Sequence, residues 1–177
     1  MSKCVYVVGA FLLAVLVPAQ AQQGKATQGS SANAALDKLK KLAGEWVAAD
    51  KDGKPTPQVV SAFRLTAAGS AVHETIFPGT GHEMVSVYHL DGKDLVMTHY
   101  CALGNQPRLK LDAKSPANKL VFQFAGGSNL DPAKDMHMHE GSITIVDEDH
   151  IEWSWQAYEG GQRAEGHMVT MKLVRKK

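Results

Sequence analysis

Cysteine is nearly absent from this chain. Of the two cysteines, Cys4 lies near the N-terminus and only Cys101 falls in the body of the sequence. One thiol cannot close an intramolecular disulfide, so the fold must be held by its core alone. Charge of one sign is also lacking: 19 Lys and Arg stand against 18 Asp and Glu. That balance argues against a nucleic-acid or anionic-membrane partner, both of which need a basic face. The nearest thing to a basic cluster is Lys38, Lys40 and Lys41, at the spacing of the wet side of a short helix. Long apolar runs stop after the first residues, and internal repeats are missing. So are the Cys-x-x-Cys, His-Glu-x-x-His and Gly-x-Ser-x-Gly motifs, which removes the common signals for structural zinc, zinc proteases and serine hydrolases.

What is present begins with an export leader. Lys3 supplies a positive start, Val5 to Val17 an apolar stretch too short to span a membrane comfortably, and Ala19-Gln20-Ala21 a small-x-small cleavage site. Residues 1–21 therefore read as a signal peptide, with a periplasmic or secreted destination and no transmembrane segment in the mature chain. Loss of Lys3 with the leader brings the mature charges level. Residues 22–33 are rich in Gln, Ser, Gly and Ala and read as a disordered tether.

Residues 34–177 read as one domain. Asn33 is placed to cap a helix over Ala34–Leu42, with Leu36, Leu39 and Leu42 on one stripe and Gly44 just beyond. From Glu45 the period switches to two. Strands are predicted near 45–50, 58–66, 70–77, 83–91, 94–102, 108–113, 119–125, 137–147, 149–159 and 164–175. Turn chemistry such as Asp52-Gly53, Asp91-Gly92, Gly104-Asn105 and Gly160-Gly161 separates them. Ten short strands with no helix long enough for a parallel crossover make an all-β antiparallel meander, closed as an up-and-down barrel to remove its edges. A β-sandwich uses the same signals and is the competing architecture.

Alternation assigns the inward faces. They are Leu95, Met97, His99 and Cys101; Leu120, Phe122 and Phe124; Ile143 and Ile145, with Gly141, His139 and His137; Ile151, Trp153, Trp155 and Ala157; and His167, Val169, Met171 and Leu173. In 83–91 the parity is open, with Met84, Ser86, Tyr88 and Leu90 opposing Glu83, Val85, Val87 and His89.

Gly44-Glu45-Trp46 after a short helix, with Arg175 closing the last strand, resembles the lipocalin-like (calycin) pattern. That resemblance implies a first-strand Trp packed under a C-terminal Arg at the closed end of a barrel. The run through Phe77-Pro78-Gly79, His82-Glu83-Met84, Tyr88-His89-Leu90-Asp91-Gly92, Thr98-His99-Tyr100-Cys101 and Gly104-Asn105-Gln106-Pro107-Arg108 is similar to a family of exported bacterial proteins of unknown function. It implies the barrel and no established activity.

The expected function is binding of a small, mainly apolar molecule in the lumen. Met97, Phe122, Phe124, Trp153 and Trp155 would supply contact area, and Tyr88, His99, His139 and His167 oriented polar groups. The competing reading draws on the eight histidines. His99-x-Cys101 and His137-x-His139 each put two ligands on one strand face, as a zinc or copper site would, and His167 has the parity to hold heme. No cofactor and no catalytic set is assigned, although His99 and Cys101 are the nearest nucleophile–base pair. A third reading is a filled barrel serving as an interaction module. Cys101 itself is expected to be buried, reduced and unreactive.

Overall fold

The computed structural model describes residues 31–177. The predicted signal peptide and all but the last three residues of the tether lie outside them. Helix α1 runs from 31 to 40. Asn33 is therefore inside the helix rather than its cap, because the apolar stripe starts a turn earlier than the leucines suggest. Ala32, Ala35, Leu36 and Leu39 are all buried.

Ten strands follow: β1 (Gly44–Ala49), β2 (Pro55–Thr66), β3 (Ala71–Ile76), β4 (Met84–Asp91), β5 (Asp94–Tyr100), β6 (Gln106–Leu111), β7 (Lys119–Ser128), β8 (His137–Ile145), β9 (His150–Glu159) and β10 (Gln162–Arg175). Each pairs antiparallel with its sequence neighbour, and β1 pairs with β10 to close the barrel. The sandwich alternative is thereby set aside. One closed sheet leaves its inward side chains to fill the lumen. Trp46, Tyr88, Met97, Leu109, Phe122, Trp153 and Leu173 belong to a single buried cluster.

Helix α1 caps the end where β1 begins and β10 ends. Leu36, Leu39 and Leu42 pack into the core cluster, and Lys38 Nζ donates to Ala117 O in the β6–β7 turn. The Gly-x-Trp entry has a physical reason here. Trp46 donates Nε1–H to Leu42 O at 2.8 Å, and the Arg175 guanidinium lies 4.4 Å from the Trp46 ring centroid. The same guanidinium donates to Ala43 O, Lys41 O and Glu148 O. Gly44 sits at φ +129°, and a Cβ there would meet Arg175 at 3.1 Å, so only glycine admits both the backbone and the arginine.

The seam between β1 and β10 is short. β10 pairs with β9 from Gln162 to Val174, but with β1 only through Trp46↔Arg175, Val47↔Val174 and Ala48↔Leu173. Above Leu173, β10 has one strand neighbour among the described residues. A register shift between Arg163 and Met168, with Gly166 at φ +76°, marks that stretch as a bulge.

Candidate functional site

The lumen holds a polar line that the alternation did not single out. On β3, Val72, Glu74 and Ile76 share the buried face, so the carboxyl of Glu74 enters the barrel with no exposed surface. Ser61 Oγ donates to Glu74 Oε1 at 2.7 Å, Trp153 Nε1 to the same oxygen at 3.1 Å, and Tyr88 Oη to Oε2 at 2.6 Å. Among the described residues no Lys or Arg is buried beside it. Burial pushes the Glu74 carboxyl up from its ordinary value, and the three donors pull it part of the way back. Tyr88 is held well above its usual range, by burial first and then by the neighbouring carboxyl. The register explains the line: Glu74 lies opposite Ser86, and Ser86 opposite His99, so three adjacent strands place three polar side chains in a row.

At the end of that row His99 is 1% exposed. Its Nδ1 is 3.0 Å from Ser86 Oγ, its ring lies 4.8 Å from that of Trp155, and its Nε2 is buried with no partner. Burial lowers its pKa to about 4, so the imidazole is neutral at physiological pH. Trp155 in turn rests on Gly141 across the β8–β9 pair, where a Cβ would meet the indole at 3.1 Å.

A second histidine pair sits higher on β8. His137 Nδ1 is 2.9 Å from Asp135 O and can only donate to it, so its Nε2 accepts, at 2.9 Å, from His139 Nδ1. That order leaves His139 Nε2 as the free end of the chain. The His139 ring lies between Phe124 and Tyr158, with centroids 4.9 and 3.8 Å away, and burial followed by the His137 ring lowers its pKa.

The expected lumen residues divide accordingly. Tyr88, Met97, His99, Phe122, Trp153 and Trp155 are buried together, and the open parity of β4 resolves with Ser86 and Tyr88 inward. Phe124 and His139 are half-buried above them, and a bulge between Met138 and Glu140 interrupts strict alternation at His139. His167 was expected to face inward and is instead exposed, since it lies in the bulged upper part of β10. Cys101 was expected on the buried face of β5, but the strand ends at Tyr100 and the free thiol is half-buried in the following turn. Burial raises the Cys101 pKa, the direction that disfavours its thiolate. His73 and Glu74 point to opposite faces, as neighbours on a strand should. Among the described residues no three His, Cys, Asp or Glu side chains converge as a metal-holding group.

Space is distributed unevenly. Between Tyr88, Met97, Phe122, Trp153 and Trp155 the lumen retains a void of about 10 Å³, about the minimum for one water. A groove of about 850 Å³ runs beside α1 along Lys38, Leu42, Ala117, Ile145 and Arg175. The chain matches no known protein-family model, and no curated protein matches it.

Proposed function

We propose that this chain is an exported lipocalin-like barrel that binds a small, mainly apolar molecule in the upper lumen, against Trp155 and beside His99. The observation that carries the reading is the buried, unpartnered His99 Nε2. Leaving such a group unpaired costs about 1–3 kcal/mol, whereas a barrel packed only for stability would place an apolar side chain there. The buried Glu74 with its three donors points the same way, since polar groups converging inside an aromatic wall are what orient a ligand. The small void beneath Trp155 means that a guest is admitted by displacement of side chains, and its apparent affinity falls with the fraction of open molecules.

Native mass spectrometry of the protein from its own host, and titration with the neutral dye Nile red, test this reading. We expect one retained or bound molecule per chain, a change in tryptophan emission, and at least tenfold weaker dye binding in Trp155→Ala. Absence of both retained mass and saturable dye binding would sink it. That result would favour the interaction-module reading, which the nearly filled lumen and the groove beside α1 support.

A further inference from the structure

We propose that the guest of this site is a neutral planar molecule bearing a hydroxyl or N–H group, which it donates to His99 Nε2 while its ring lies against Trp155 and the lumen face of β10. The proposal rests on the ligand-binding reading above and deepens it in three steps.

The first step is access. Val169 and Met171 lie directly opposite Trp155 and Trp153 in the β9–β10 pair, so they share the lumen face with those indoles. Val169 is nevertheless 44% exposed, and Met171 is only partly buried, while Leu173 one step lower is 1% exposed. The change coincides with the end of β1, which covers β10 only from Leu173 to Arg175. Solvent therefore reaches the inner wall of the barrel beside Trp155, through the part of β10 that lacks a second neighbour. A flat molecule entering there meets Val169 first and Trp155 next, and the His99 ring is the indole's neighbour at 4.8 Å.

The second step is hydrogen-bond polarity. Tyr88 donates its hydroxyl hydrogen to Glu74, Ser86 shares the buried face of β4 with Tyr88, and His99 Nδ1 lies 3.0 Å from Ser86 Oγ. Read as one chain of donors running to the carboxyl, His99 carries its proton on Nδ1 and presents a lone pair at Nε2. The guest must then be a donor. A molecule with acceptors alone would leave that lone pair buried against another.

The third step is charge. Among the described residues, the buried ones include no Lys or Arg and do include Glu74, whose oxygens are already taken by Ser61, Tyr88 and Trp153. A carboxylate or phosphate in this lumen would be buried without a counter-ion beside a carboxyl, which is strongly unfavourable. An ammonium would find neither Glu74 oxygen free.

Three probes of one size separate these demands: 2-naphthol, 2-methoxynaphthalene and 2-naphthoate, titrated near neutral pH by tryptophan quenching and by calorimetry. We expect 2-naphthol to bind at least about tenfold tighter than its methyl ether, from one buried hydrogen bond, and 2-naphthoate not to bind. In His99→Phe the preference for the naphthol collapses to within about twofold while the methyl ether retains its affinity. Equal binding of naphthol and ether to the wild-type chain, or tightest binding of naphthoate, overturns the proposal while leaving ligand binding intact. Failure of all three probes overturns both. The wild-type comparison stands by itself should His99→Phe not fold.

Discussion

Acidification is the perturbation that interrogates the lumen most directly. His99 carries a pKa of about 4 in the folded chain against an ordinary value of 6.5. The folded state therefore resists a proton that the unfolded chain accepts. Stability from this group is complete above the unfolded pKa and is lost as pH falls through the window from 6.5 toward 4. At about pH 5 the unfolded imidazole is charged to roughly one and a half decades and the folded one hardly at all, which costs about 2 kcal/mol relative to pH 7.5. For a domain of this size that is a drop of roughly 4–8 °C in melting temperature. His73 and His139, both lowered, add in the same direction, and Glu74, raised, acts oppositely. All three are shared by His99→Phe, so the comparison cancels them. Urea denaturation of both proteins at the two pH values should give a wild-type loss about 2 kcal/mol larger than that of the variant. Equal losses would refute the claim that His99 is held neutral by burial.

Three further outcomes follow from particular contacts. Glu74→Ala leaves the Ser61, Tyr88 and Trp153 donors buried without an acceptor and should cost about 3–5 kcal/mol in chemical denaturation; a loss under 1 kcal/mol would mean that the network is not formed. Gly141→Ala drives a methyl into the Trp155 indole at 3.1 Å and should destabilise by about 1–3 kcal/mol, with a shifted tryptophan emission maximum; an unchanged spectrum and stability would contradict the packing. Cys101, half-buried with a raised pKa, should react with a small alkylating reagent more slowly in native than in urea-unfolded protein; equal rates would show an open, activated thiol.

Much of the architecture was legible because alternation and turn residues act locally. The ten strands, their order and the helix before them follow from period-two patterning broken by glycine, and the Trp46–Arg175 contact is the one that the lipocalin-like resemblance implied. Where the reading failed, the cause was a bulge or a strand end. The Gly166 bulge and the short β1 leave His167 exposed, a bulge at His139 interrupts strict alternation there, and β5 stops before Cys101. The Glu74 line was hidden for a different reason. Its partners Ser61, Tyr88 and Trp153 come from three other strands, and only sheet register brings them together. The clue available in the sequence was Val72-His73-Glu74-Thr75-Ile76, where a carboxylate occupies the middle of an apolar face.

The three-pair seam between β1 and β10 also bears on how the chain folds. Every other strand pair joins neighbours in sequence and can zip as a hairpin, whereas Trp46↔Arg175 joins the two ends of the barrel. Loop-closure entropy delays such a contact until most of the sheet exists. Docking of α1 and the Arg175 guanidinium on Trp46 is then the late step that turns an open nine-hairpin ribbon into a cylinder, so changes at this seam should alter the unfolding rate far more than the folding rate.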